Sequence, residues 1–254
     1  MRIKFQHRFV NTKPAMKMSA MLDTLDLNHG GPDGRFIALY SEAGRGKSES
    51  VLHWHGIHGG VYLYIHTAWR NDTGAFYSAL LGELGVQDPP KRHADRYGLI
   101  IETLRREPRI LFLDEVDKLT LRFLDIFKDI ADVTQSPIVL TGEENLPAFL
   151  RQNRRIWTRT LSRMEMDPVE RADIMLFAQT TTGLTLSPDV AGLLLQAADG
   201  DSTPGSLRVV KQAVLNLVDI CNAKSTTDVS EEMARIAVSR TFARKNRRTA
   251  HAAR

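Results

Sequence analysis

Two short runs hold the residues whose types and spacing can do chemistry. The first is Ala43-Gly44-Arg45-Gly46-Lys47-Ser48, and the second is Ile110-Leu111-Phe112-Leu113-Asp114-Glu115. Glycines at 44 and 46 let a turn adopt unusual dihedrals and approach a ligand closely. Backbone N–H groups of such a turn, followed by a helix N-terminus, converge on an anion. In that setting Lys47 reaches β- and γ-phosphates and Ser48 offers a hydroxyl to Mg²⁺. Two adjacent carboxylates at the end of an apolar run complete the chemistry. Asp114 can hold the Mg²⁺ through its water shell, and Glu115 can orient and deprotonate an attacking water. The pattern G-x-x-x-x-G-K-[ST] would place glycine at 41, where this chain has Ser41. Serine is compatible there if its φ is negative, because the Cβ then costs little. The expected nucleotide contacts are Glu42, Ala43, Gly44, Arg45, Gly46, Lys47, Ser48 and Glu49, with ATP and Mg²⁺ as the implied ligands.

These groups need strands and helices to hold them. The apolar stretch 35–40 reads as a strand that ends at the glycine turn, and 48–57 continues as a helix, which is the context the motif requires. Further strands are expected over 61–66, 109–114, 136–141 and 161–166. Helical patterns occupy 12–27, 73–84, 93–106 and 119–133. Strands alternating with helices imply a parallel sheet with both faces covered, and ligands bind at the carboxyl edge of such sheets. After Pro168 the strands stop, and helical patterns run over 169–180, 188–198, 205–223 and 230–244. The expected fold is α/β: a P-loop NTPase core, a three-layer arrangement around a parallel sheet, with a small C-terminal all-α lid. The expected division is 1–182 core, 183–240 helical lid and 241–254 basic tail.

Composition narrows the classes. The 254 residues are 43% hydrophobic and 25% charged, an ordinary soluble mix. No apolar run approaches the length needed to span a bilayer, and the N-terminal residues lack a secretory pattern. A single cysteine, Cys221, excludes an internal disulfide and suits the cytoplasm. Its apolar helical neighbours point to core packing. The net charge of +4 is unevenly placed. The last fifteen residues hold six of the 34 basic residues and no acid, leaving 28 basic against 30 acidic elsewhere. Such a tail suits contact with nucleic acid or a solvated end.

The runs "AGRGKS" and "ILFLDE", the polar residue closing "PIVLT" and the later "GSLR" resemble the AAA+ ATPase family. The compact layout is most similar to its transposition regulators, of the phage Mu B protein, TnsC and TniB type. The resemblance implies that Thr141 is sensor 1, near the γ-phosphate or the water, and that Arg208 is sensor 2. It implies an arginine supplied to the neighbouring subunit's nucleotide, worth about 10³–10⁵ in rate in other NTPases. Arg163 ranks first for that role, followed by Arg154 and Arg155. His66, closing the second strand, reads first as a strand-end histidine, and the resemblance offers as the alternative a polar restraint on Glu115. Duplex DNA would be gripped by Arg70, Lys91, Arg92, Arg96 and Arg105, through phosphates and without base specificity. The implied function is an ATP-dependent, sequence-nonspecific DNA-binding ATPase. It would assemble with itself as a ring or helical filament on target DNA and recruit or activate a transposase. The alternative is an AAA+ ATPase of protein remodelling, secretion or helicase loading. No membrane partner is expected.

Overall fold

The computed structural model describes residues 2–25, 35–200 and 205–252, of which 243–252 are described as backbone alone. The breaker expected at 28–34 and the end of the helix expected over 12–27 lie outside them. Contacts divide the chain into two compact units. One comprises Met18–Ser41 and Lys47–Met166. The other comprises Met1–Lys17, Glu42–Gly46 and Asp167–Arg254. Helix α1 (Lys13–Leu22) has residues in both.

The first unit is built on five strands: β1 (Phe36–Tyr40), β2 (Val61–Tyr64), β3 (Leu111–Asp114), β4 (Ile138–Gly142) and β5 (Thr160–Glu165). They form one sheet in the order β2-β3-β4-β1-β5, with every pairing parallel. Parallel neighbours need crossovers. Here these carry α2 (Lys47–His58), α3 (Thr73–Glu83), α4 (His93–Arg106), α5 (Arg122–Thr134), α6 (Leu146–Arg151) and α7 (Arg154–Arg159). Strand residues alternate between two cores. Phe36, Ala38, Leu111, Leu113, Ile138 and Leu140 pack with Phe76, Phe123 and Phe127. Ile37, Leu39, Phe112 and Val139 pack with Met18, Leu22, Val51 and Trp54. Burial on both faces explains why these strands read as continuous apolar runs.

All five strands fall within about two residues of their expected positions, an ordinary uncertainty at element ends. Helices α6 and α7 carry too few residues to show a periodicity. The local signals for them are a proline in the first turn of α6 and Asn153, whose side chain accepts from the N–H groups of Arg155 and Ile156 to cap α7.

The second unit is helical: α8 (Arg171–Thr182), α9 (Pro188–Asp199), α10 (Leu207–Lys224) and α11 (Glu231–Ala252). Gly183, in the left-handed region at φ +76°, ends α8, and Ser187 caps α9 through Val190 N–H. The core contains Phe177, Leu194, Val210, Leu217 and Cys221, so the cysteine packs as the sequence suggests. Buried Asn216 donates to Ala237 O and Thr241 Oγ1, pinning α11 against α10. Helix α8 shares this core with the helices that follow it. Among the described residues no helix is long and apolar enough to cross a membrane.

Candidate nucleotide-binding and active site

In the strand unit, the sheet order sets the site. β4 lies between β3 and β1, so the carboxyl ends of all three are neighbours. Thr141 of β4 pairs in register with Leu39, while Leu113 pairs with Leu140. Asp114 and Thr141 therefore end adjacent strands. Both are fully buried, and the Thr141 hydroxyl donates to Asp114 Oδ1. The other carboxylate oxygen accepts from the Tyr62 hydroxyl at 2.6 Å, across from β2. Burial, and then the Asp114 carboxylate, raise the Tyr62 hydroxyl far above its ordinary range, so it stays a donor. A buried carboxylate needs such partners.

Glu115 follows immediately and adopts φ +66°, ψ +42°, a left-handed conformation rare for a residue with a Cβ. Its N–H donates to Thr141 Oγ1 at 3.3 Å, so one hydroxyl joins both acids. Its carboxylate lies 3.2 Å from Lys118 Nζ. Lys118 also donates to the Tyr64 hydroxyl at 2.7 Å and sits 4.4 Å over that ring. His66 packs edge-on against Trp69 and Tyr64, as a strand-end histidine does. The cation on Glu115 is Lys118.

Lys47 opens α2 and is 6% exposed. Asp117, two residues after Glu115, links it to the acids. Burial lifts the Asp117 carboxyl above the usual carboxylate range. Glu115's charge adds to that rise, while Lys47's ammonium opposes it. Asp117 Oδ2 accepts from Glu143 N–H at 3.4 Å, and Oδ1 is buried with no hydrogen bond. Gly142 leaves it room, because a Cβ there would sit 2.7 Å from Oδ1. Asp117 thus lies within electrostatic reach of both Lys47 and Glu115. Ser41, at the end of β1, is buried and is not among the residues with positive φ, which is the condition under which serine fits there.

In the helical unit, the loop Glu42–Gly46 is held by the start of α10. Gly44 and Gly46 have φ +86° and +96°. Arg208 N–H donates to Gly44 O at 3.2 Å. A Cβ on Gly44 would meet Ser206 Oγ at 2.6 Å and the Arg208 side chain at 3.3 Å, so glycine is required twice over. Arg45 pairs with Glu42 at 2.8 Å. Arg208 itself is exposed.

The other candidates divide into engaged and exposed. The Arg163 guanidinium lies 3.8 Å over the Trp157 ring and donates to the Trp157 carbonyl. Arg151 lies 4.8 Å from the same ring. Arg159 pairs with Asp132, and this with Lys128 outweighs burial to keep that carboxyl below its ordinary range. Arg154 and Arg155 are exposed. Of the cations expected to touch DNA, Arg96 donates to Pro90 O and Gly74 O, and Arg105 to Val133 O. Both tie down internal carbonyls. Arg70, Lys91 and Arg92 are exposed. Tyr62, Asp117 and Lys118 are the site residues the sequence analysis did not single out.

Residues 32–150 match a family model described as an AAA domain. The Mu-like prophage FluMu DNA transposition protein B of Haemophilus influenzae is 22% identical over 181 residues, covering 68% of this chain. The match spans 62% of that protein's length. Among solved structures, Cdc6p from Pyrobaculum aerophilum is similar over 93% of this chain and 71% of its own, with TM-score 0.69 and 15% identity. The Aeropyrum pernix ORC1 protein in complex with DNA is similar over 89% of this chain and 64% of its own, with TM-score 0.59 and 18% identity. At such identities these structures bear on the fold alone.

Proposed function

We propose that this chain, a AAA+ P-loop NTPase of the transposition-regulator type, hydrolyses ATP and uses it to assemble on target DNA and to recruit or activate a transposase. The observation that carries the reading is the carboxyl edge of the sheet, where the Thr141 hydroxyl joins buried Asp114 to the Glu115 peptide and β4, which carries Thr141, lies beside β1, the strand before Lys47. It supports one cleft shared by Lys47 and the acid pair.

In this reading, N–H groups from 43–48 and the α2 N-terminus bind the phosphates, and Lys47 neutralises the β- and γ-phosphate charge. The donor set fits Mg²⁺: a hydroxyl at Ser48 and a carboxylate at Asp114, both hard oxygen ligands. When bound, the ion supplies charge neutralisation between β- and γ-phosphates. Thr141 fixes the Asp114 carboxylate and the Glu115 peptide. Glu115 takes the proton of the attacking water once Lys118 lets go of its carboxylate. Arg208 reports the phosphates to α10. Arg163 serves a neighbouring copy's nucleotide after leaving Trp157, which makes hydrolysis depend on assembly.

Arg70, Lys91 and Arg92 are the best placed to meet DNA phosphates, because Arg96 and Arg105 hold internal carbonyls. One similar protein lends support by name: a DNA transposition protein. Electron microscopy of the protein with a slowly hydrolysed ATP analogue and random-sequence duplex tests the reading. Rings or filaments on DNA are expected. Monomers that ignore DNA would overturn it. The DNA affinity should also fall steeply with added salt.

A further inference from the structure

Residues 2–12 form no helix or strand, yet they are held in the helical unit. Asn222, near the end of α10, grips the main chain of Ile3 twice. Its Oδ1 accepts from Ile3 N–H at 2.7 Å, and its Nδ2 donates to Ile3 O at 2.9 Å. Gln6 N–H donates to Thr181 O on α8 at 2.7 Å. Alternate side chains point inward: Ile3 and Phe5 pack on the helical core, and Phe5 lies 6.2 Å from the Phe177 ring. Arg2, Lys4 and Gln6 between them are exposed. Main-chain hydrogen bonds with alternate side-chain pockets are the way a protein reads an extended peptide.

We propose that the face of α8 and α10 around Phe177, Thr181 and Asn222 is a docking groove for an extended apolar-x-aromatic segment, and that in the assembled protein its occupant is the arm of a neighbouring copy. This rests on the reading that the chain assembles with itself. The sequence that demonstrably fits the groove is this chain's own residues 3–6, and every copy brings one arm and one groove. Exchange therefore leaves no groove unfilled in a closed ring, and one only at the end of a filament. The helices keep their own core when the arm leaves, since α8–α11 pack on one another through Leu194, Val210 and Leu217. Arm contacts are the same within a chain or between chains, so the tether alone decides. Neighbours in an assembly supply an effective concentration comparable to that of the chain's own arm. Such exchange would link each copy to the next independently of nucleotide contacts.

Cross-linking tests this in the full chain, with Cys221→Ser as background. Lys4→Cys and Ala223→Cys neighbour the Ile3–Asn222 contact and leave its bonds intact. One chain carries the first substitution and another the second. They are mixed with the ATP analogue and duplex DNA, treated with a short bis-maleimide, and assembly is followed in parallel by sedimentation. The exchange predicts a dimer band from the mixture, strong under assembling conditions and absent when the nucleotide is omitted. A chain carrying both substitutions should then give a ladder. If the mixture assembles but stays monomeric on the gel while the doubly substituted chain links internally, the exchange is wrong and assembly stands. If nothing sediments, self-assembly fails, and the exchange with it.

Discussion

The carboxyl edge of the sheet and the arginine-rich stretch 151–163 both carry charged groups suited to phosphate chemistry, but they hold them differently. At the edge, Asp114 and Thr141 are fully buried and bonded to each other, and Lys47 is nearly so. Positions are fixed before a ligand arrives, which is how electrostatic catalysis avoids reorganisation. Along α7 and β5, Arg154, Arg155 and Arg163 are exposed. Arg163 rests on Trp157 and its carbonyl, and Arg159 on Asp132. The edge is preorganised within one chain. Under the proposed function, the arginine stretch would act only after a partner displaces what its side chains now touch.

Substitutions can break this contrast or refine it. Glu115→Gln should cut ATP turnover by about 10²–10⁴-fold, the usual worth of a general base. Nucleotide affinity should barely change, as a fluorescent ATP analogue would report. A wild-type turnover in that variant would show the edge is not the catalytic centre. Arg163→Ala should lower turnover of the assembled protein by about a hundredfold, below the range seen for trans arginines elsewhere. It should leave ATP binding and the weak rate of the dilute protein alone. An equal loss in both states would move Arg163 into the preorganised class.

Lys118→Met should act in the opposite direction. It removes the ammonium held on Glu115, so the rate without DNA should rise by about tenfold, a part of what an unhindered base supplies. Lys118→Arg should preserve the low basal rate. A fall in the Met variant, with unchanged melting, would make Lys118 a helper and not a restraint. Thr141→Val should have the smallest effect on ATP affinity. It deprives buried Asp114 of a donor and should cost about 1–3 kcal/mol of stability, read by thermal or urea unfolding. Unchanged stability would mean that Asp114 finds another partner.

How far the sequence could be read follows the same contrast. Lys47, Ser48, Asp114 and Glu115 are legible because phosphate chemistry demands those types at the turn and at the strand end. Thr141 is legible as the last polar residue of an apolar strand. Tyr62 is not, because its bond to Asp114 depends on β2 lying beside β3, and strand order is not written in spacing. Lys118 carried a local signal, an acid and a base three residues apart in "EVDK", that sets the pair in reach. Asp117 stands in the same turn, but its link to Lys47 comes from tertiary closure. Arg96 and Arg105 look like any basic helix residue until the carbonyls of Pro90, Gly74 and Val133 are placed. That Lys118 and not His66 meets Glu115 is hidden for the same reason, since side-chain direction at a strand end is set by packing.

The central claim is that Lys47 and the acid pair serve one triphosphate. Equilibrium titration of a fluorescent ATP analogue with Mg²⁺ into wild-type protein, Lys47→Ala and Glu115→Gln tests it most directly. Saturable binding by wild type and Glu115→Gln, with loss of about a hundredfold or more in Lys47→Ala as a charge-assisted phosphate contact is removed, is the predicted result. Equal affinity in all three proteins would contradict the account.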